Sequence, residues 1–235
     1  MSDQDPYRLH YAPDNASLVI RLALEELGVP YRTVLVDRAA AAQKSPDYLR
    51  LNPAGRIPTL ETPDGPISET AAILLWLGER HGALMPGAGE TGRAAFLNWL
   101  LFAANTLHPE LVQLFYIHRY GAEEGRAAQR TALRHRIAGH LATLEALAAR
   151  LEAPWFCGAE PSALDLYLAP MLRWAQIYPR DQEGWLSLAP YPVLRDMALR
   201  LEARPSIAAA IRAEGLGARP FTDPRPPEPP EGSAT

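Results

Sequence analysis

Cysteine is nearly missing from this chain. Cys157 is the single one in 235 residues, so no disulfide can close within it, and a reducing compartment is the default expectation. Lysine is equally scarce: Lys44 is the sole one among 23 basic residues, and the arginines are scattered instead of massed in one block. With a net charge of -4 and a pI of about 5.9, that distribution excludes the basic face of a nucleic-acid binder. No apolar run is long enough to span a bilayer and the first residues carry no leader-like pattern. Membrane roles are therefore excluded and the cytoplasm is the expected location. Internal repeats are lacking too. What is present, 48% hydrophobic and 21% charged residues, describes a globular chain with material for two modest domains.

The most informative stretch runs from Asn52 to Ile73, NPAGRIPTLETPDGPISETAAI. A β-branched run from Pro58 to Thr62 reads as a strand, Pro63-Asp64-Gly65 supplies turn chemistry, and Pro66 to Ser68 is its antiparallel partner. Ser68-Glu69-Thr70 then precedes an apolar helix, so hydroxyls and unpaired N–H groups gather at a helix start that can accept a carboxylate. Taken singly, Pro58 starting a strand and Ser68 or Thr70 capping a helix would account for each feature. Their joint order and spacing point further, to a site for a small acidic ligand.

Upstream, Tyr7 to Tyr11 alternates as a strand, Ala16 to Leu27 has helical spacing ended by Gly28, and Tyr31 to Val36 is a second strand. A β-α-β start of this kind requires a right-handed crossover and a parallel pair. A short helix near Pro46 to Leu51, the hairpin and a helix from Glu69 to His81 complete the order β-α-β-α-β-β-α. Gly82 to Gly92 is rich in glycine and proline, and everything beyond it reads as helix. One helix begins at Thr91 or Gly92 and reaches toward His118, and Arg126 to Leu151 forms another with Leu133, Ile137, Leu141, Leu144 and Leu147 on one stripe. Ser162-Ala163-Leu164-Asp165 opens the next with a close relative of the capping box, and Pro192 to Glu202 and Pro205 to Glu214 are two short helices. Pro220 to Pro230 carries six prolines in eleven residues, which predicts a disordered or extended tail. The expected division is thus 1–82, an α/β domain; 83–218, all helical; and 219–235, a disordered tail.

These parts resemble the glutathione transferases, in which Asn-Pro-x-Gly-x-[Ile/Val]-Pro leads through two strands to a Glu-Ser-like pair and an apolar helix. The resemblance implies a thioredoxin-like N-terminal domain, a C-terminal helical bundle and a homodimer. It implies a cis bond between Ile57 and Pro58, with the Ile57 backbone turned to pair with the cysteinyl part of glutathione. Glu69 and Thr70 would hold the γ-glutamyl end, and Arg56 lies within the same motif. Downstream, Trp155-Phe156-Cys157-Gly158, Leu172-Arg173-Trp174-Ala175 and Ala203-Arg204-Pro205 are similar to the bacterial beta class, whose helix histidine that faces the glutathione sulfur matches His108. Pro109 stands where a basic residue usually follows, and Leu101 where an asparagine is expected.

The largest departure lies near the start, where the beta-class pattern Tyr-x-Pro-x-x-Cys-Ser falls on Tyr11 to Ser17 and puts Ala16 at the cysteine. Cys157, in the Trp-Phe-Cys-Gly stretch, is no substitute and reads as a small buried hydrophobe. Hydrogen bonding remains: Ser17 and Asn15, Ser17 slightly ahead, with backbone N–H groups at the helix start, are the candidates for stabilising a glutathione thiolate. A free thiol has a pKa of about 8.5 and only its thiolate attacks well, so such donors raise the reactive fraction. The resulting expectation is a transferase that adds glutathione, its co-substrate, to a hydrophobic electrophile, with no metal or further cofactor. Tyr116, Trp174 and Tyr178 are candidates for the second-substrate wall between the domains. A glutathione-dependent disulfide reductase or peroxidase, and a non-catalytic glutathione-binding module, are the alternatives from other classes.

Overall fold

Leu9, fully buried and flanked by outward-facing Arg8, sets the pattern of β1 (Tyr7–Tyr11), the central strand of the sheet. In the computed structural model, which describes residues 7–151, 153–182 and 184–234, the chain forms two units. The first comprises the chain up to Leu84 together with Ala203–Pro220 and the segment from Arg225; the second is Met85–Glu202 with Phe221–Pro224.

In the first unit, α1 (Ser17–Leu27) buries Leu18, Ile20, Leu22 and Leu24 and ends at Gly28, whose φ of 63° an L side chain would resist. The crossover returns the chain to β2 (Tyr31–Leu35), parallel to β1 with Tyr7 opposite Tyr31 and Tyr11 opposite Leu35. Ser45 accepts the Tyr48 N–H and Pro46 occupies the first turn, which together start α2 (Pro46–Leu51). The hairpin β3 (Thr59–Thr62) and β4 (Gly65–Ser68) follows, giving the strand order β2-β1-β3-β4, with Leu9 opposite Leu60. The helix α3 (Thr70–His81) closes at Gly82. This is the thioredoxin-like order the sequence implies.

In the second unit α4 (Arg93–Phe102) continues through a π-helical turn, Ala103–Leu107, into α5 (His108–Phe115). Pro109 explains that turn: it has no N–H and its ring would strike the carbonyl one turn back, so the helix widens and the His108 N–H reaches five residues back to the Ala103 carbonyl. The long α6 (Arg126–Arg150) buries Leu133, Ile137, Leu141 and Leu144 of its predicted stripe, while Leu147, near its end, is half-buried. At the centre lies α7 (Ala163–Ile177), opened by a reciprocal Ser162–Asp165 capping box. The Glu145 carboxylate accepts the N–H groups of Val193 and Leu194 at 2.9 and 3.0 Å, which starts α8 (Pro192–Glu202). Among the described residues no helix is long and apolar enough to cross a membrane.

Two expectations about the C-terminal third need correction. The helix α9 (Pro205–Glu214), assigned by its position in the chain to the helical domain, belongs to the first unit. Its neighbour there is α1: Arg204 Nε donates to Glu26 at 3.0 Å, Ser206 Oγ donates to the same carboxylate at 2.6 Å, and Arg21 pairs with Glu214. The proline-rich segment, expected to be disordered, is seated. Phe221 is fully buried, and the Glu202 carboxylate accepts the N–H groups of Phe221 and Thr222, each at 2.8 Å. Prolines stop this stretch from forming helix or sheet, but they also leave little conformational freedom to lose and few N–H groups to satisfy, so one aromatic anchor and a few hydrogen bonds dock it.

Asp165 gives a measurable consequence. Its carboxylate accepts the N–H groups of Cys157 and Ser162, both at 2.9 Å, yet burial pushes its pKa up to about 6. The folded form therefore holds this proton more tightly than the unfolded chain, where an aspartate titrates at about 3.9. The stability that proton lends is full below about pH 4 and lost as the pH rises through 6. Urea unfolding of the parent should show a fall of about 2–3 kcal/mol from this group between those limits. In Asp165→Asn that part of the pH dependence should be flat.

Candidate active site

The loop leading to Pro58 is fixed from beneath. The Arg56 carbonyl accepts the Tyr48 hydroxyl at 2.6 Å and the Asn52 amide at 2.8 Å, while the Asn52 side-chain oxygen accepts the Ala54 N–H at 3.0 Å. The Tyr48 hydroxyl also lies 3.0 Å from Thr59 Oγ1. Gly55, at φ 60°, has no room for a side chain, because a Cβ there would lie 2.9 Å from the Gln43 carbonyl and 2.7 Å from Lys44 Nζ. Lys44 itself reaches the Ala54 carbonyl at 3.4 Å. The Ile57–Pro58 bond is cis. Arg56 is exposed, and among the described residues no protein group hydrogen-bonds the Ile57 backbone.

The hairpin carries this loop to the head of α3. Thr59 pairs with Ser68, so Pro58 and Glu69 follow side by side. Glu69 is exposed and has φ 69° and ψ 111°, a backbone region that non-glycine residues rarely adopt and that structures retain where geometry is functional. Thr70 is buried at the first helical position, beside first-turn N–H groups that no helical carbonyl can satisfy. Ile57, Pro58, Glu69 and Thr70 are thus brought together in one unit, as their order in the sequence suggests.

The loop from Tyr11 to Ser17 is held differently. Ser17 is fully buried; its hydroxyl donates to the Ala12 carbonyl at 3.1 Å and accepts the Ala12 N–H at 3.3 Å, so its single proton is engaged within the loop. Asn15, half-buried, donates to the Pro13 carbonyl at 2.8 Å and to the Ala234 carbonyl at 3.1 Å, and accepts from Arg38 at 2.8 Å. Asp14 has φ 52°. What sustains that conformation is Glu214, fully buried on α9, which accepts the Asp14 N–H at 2.8 Å and Arg21 Nε at 2.6 Å. Burial pushes the Glu214 carboxyl up, opposed by Arg21. Arg21 also sits over the Tyr11 ring, 4.7 Å from its centroid. The Tyr11 hydroxyl donates to Glu231, and burial with that carboxylate holds it protonated far above the usual tyrosine range.

The remaining candidates lie in the second unit. His108 Nδ1 is 3.0 Å from the Tyr167 hydroxyl and its ring stacks on Trp174. Trp174 and Tyr178 are buried in that unit's own core, Tyr178 against Phe115, whereas Tyr116 is half-buried beneath the Arg119 guanidinium. Burial pushes the Cys157 thiol up, consistent with an inert side chain. Sequence reasoning missed Glu214, Arg21, Arg38, Tyr48 and Glu231. Only Tyr48 had a local signal, its place on a short helix just before the Asn-Pro motif; the others act across the whole length of the chain.

Comparison with known proteins gives the family. Residues 16–80 match the glutathione S-transferase N-terminal domain and residues 127–196 the C-terminal domain. The chain is 33% identical over 222 residues to glutathione S-transferase GST-4.5 of Xanthomonas campestris, covering 89% of this chain and 99% of that one. It is 31% identical to the disulfide-bond oxidoreductase YfcG of Escherichia coli, with 89% and 96% covered. Among solved structures, a sphingomonad glutathione S-transferase complexed with glutathione superposes with a TM-score of 0.72 at 30% identity, covering 89% of this chain and all of the other. The chain belongs to the glutathione S-transferase family and is an enzyme of it. That sets aside the non-catalytic alternative.

Glu214→Ala should lower stability by about 3–5 kcal/mol, because it leaves the buried Arg21 charge unpaired. Removing both charges, Arg21→Met with Glu214→Gln, should recover most of that loss while keeping an acceptor for the Asp14 N–H. Denaturant unfolding of Arg21→Met, Glu214→Gln and their combination, arranged as a double-mutant cycle, measures the coupling.

Proposed function

We propose that this enzyme binds glutathione along the edge formed by Ile57 and Pro58, Glu69 and Thr70, activates it as thiolate at the start of α1, and adds it to a hydrophobic electrophile. The observation that carries this reading is the juxtaposition of the Ile57–Pro58 loop with the left-handed Glu69 at the head of α3. One edge thereby offers strand-like backbone groups to a peptide and helix N–H groups to a carboxylate. The Thr70 hydroxyl and first-turn N–H groups take the γ-glutamyl carboxylate, Glu69 its amino group, and Arg56 the far end of the tripeptide. Since Ala16 supplies no thiol, the sulfur is stabilised by hydrogen bonds from first-turn N–H groups and the Asn15 amide. Ser17, with its hydroxyl turned to Ala12, contributes its backbone N–H and holds the loop. The resemblance-based roles of His108 toward the sulfur, and of Tyr116 toward the electrophile with Trp174 and Tyr178 supporting it, belong to the same proposal, as does assembly as a homodimer.

A second reading has one specific support, the similarity to a relative named as a disulfide-bond oxidoreductase. Here the glutathione thiolate attacks a disulfide, releases one thiol and forms a mixed disulfide; a second glutathione thiolate then displaces the other thiol and leaves oxidised glutathione. No protein cysteine is needed. Turnover on hydroxyethyl disulfide compared with chlorodinitrobenzene separates the two reactions.

Thr70→Ala should weaken glutathione binding by about 1.5–3 kcal/mol, the worth of a hydrogen bond to a charged group. Titration calorimetry reads it directly, and equal affinities would remove Thr70 from the site. For the sulfur, Asn15→Ala should raise the ionisation midpoint of bound glutathione and lower kcat with little change in affinity, each unit of midpoint corresponding to about 1.4 kcal/mol. Ultraviolet thiolate titration at saturating glutathione measures it. Should Asn15→Ala and Ser17→Ala both titrate like the parent, neither side chain activates the thiol.

A further inference from the structure

The segment from Arg225 to Ala234 runs against the loop that opens α1. The Glu228 N–H donates to the Gly215 carbonyl at 2.9 Å, and a Cβ on Gly215, at φ 63°, would collide with the Glu228 carbonyl. A Cβ on Gly232, at φ 71°, would lie 2.7 Å from Leu35 and 3.4 Å from Pro13. Two glycines thus allow the segment to lie in direct contact with its bed. At its far end the Ala234 carbonyl accepts from Asn15 at 3.1 Å and from Arg38 at 3.0 Å, and Glu231 accepts the Tyr11 hydroxyl.

These contacts have a chemical meaning at Asn15. A side-chain amide has two N–H donors. One goes to the Pro13 carbonyl and the other to Ala234, while the oxygen is taken by Arg38. With the segment seated, the Asn15 amide has no proton left for a sulfur. The end of the segment is also its more exposed part: Glu231, Gly232 and Ser233 lie at the surface, held through Tyr11, Asn15 and Arg38 and the contact of Gly232 with Leu35 and Pro13, whereas the fully buried Phe221 anchors the chain upstream.

We propose that residues 225–234 form an autoinhibitory strap: seated, it sequesters the Asn15 amide and the Tyr11 hydroxyl, and its release frees Asn15 to donate to the glutathione thiolate. The inference rests on the role given to Asn15 under Proposed function. Strap and thiolate compete for one N–H group, so an occupied site favours the open strap and an open strap favours the ionised thiol, by reciprocal linkage.

A stop codon after Pro230 removes Glu231 and Ala234 but keeps Phe221 and the Glu228–Gly215 bond. Thiolate titration at saturating glutathione, on the parent, the shortened chain, Asn15→Ala and their combination, tests the strap. The shortened chain should ionise bound glutathione about one unit lower than the parent, a tenfold gain in the thiolate equilibrium, with kcat raised several-fold at low pH. Both gains should vanish in the Asn15→Ala background. A shortened chain that titrates like the parent, or higher, overturns the strap and leaves the transferase reading intact. If shortening lowers the melting temperature, Glu231→Ala in the full chain should move the midpoint in the same downward direction, and a rise would overturn the strap. If none of the proteins depresses the midpoint below that of free glutathione, thiol activation itself fails. Amide exchange then decides the strap: saturating glutathione should speed exchange of the Glu228 N–H in the parent more than saturating S-methylglutathione, which can form no thiolate, and equal exchange with the two overturns the competition.

Discussion

A carboxylate with no access to water, Glu214, determines the shape of the loop at which the chemistry is proposed to take place. One oxygen takes the Asp14 N–H, at a residue whose positive φ needs outside support, and the other takes Arg21, whose guanidinium in turn covers the Tyr11 ring. Such a buried pair adds little to stability against an apolar alternative, because desolvation offsets most of the attraction. Its value is geometric, since any other loop conformation would leave the second oxygen of a buried carboxylate without the Asp14 N–H. This is why the last helix of the chain completes the first unit: α9 brings the group that α1 and the loop before it require.

The two halves of the site are built on different principles. Where the peptide of glutathione is proposed to lie, the main supports are buried and short-range. Tyr48 and Asn52 converge on one carbonyl, and the β3–β4 register carries the geometry to Glu69. Where the sulfur is proposed to lie, the polar side chains are engaged with protein atoms instead, Ser17 with Ala12 and Asn15 with Pro13, Arg38 and the C-terminal segment. On that proposal, a rigid peptide seat beside a loop whose donors must be exchanged separates recognition from activation. Affinity then follows the first half and reactivity the second.

Local structure was legible because its causes are local. The hairpin turn at Pro63 to Gly65, the cap at Ser162 and the stripe on α6 each declare themselves within a few residues, and the run from Asn52 to Ile73 carries most of the peptide seat in one piece. Ser17 was legible as a hydroxyl in the right loop but not as one turned inward, since nothing in the sequence says that Ala12 will accept its proton. The seat of α9 and the course of the last residues were hidden for a stronger reason. They depend on Glu214 meeting Asp14, and Ala234 meeting Asn15, across nearly the whole chain, and six prolines look the same whether they trail in water or lie docked on a surface.

Lys44, the sole lysine, touches the Ala54 carbonyl beside the glycine that lets the peptide-seat loop close. Apart from the α-amino group it is the one primary amine in the protein, and it is exposed. Amine-directed reagents, from fluorophores to surface tethers, will therefore couple at a single internal address next to the edge proposed to bind glutathione. The chain thus comes with its own reporter position: a dye there sits against the loop that leads to Pro58, with no engineered cysteine and no competing lysine.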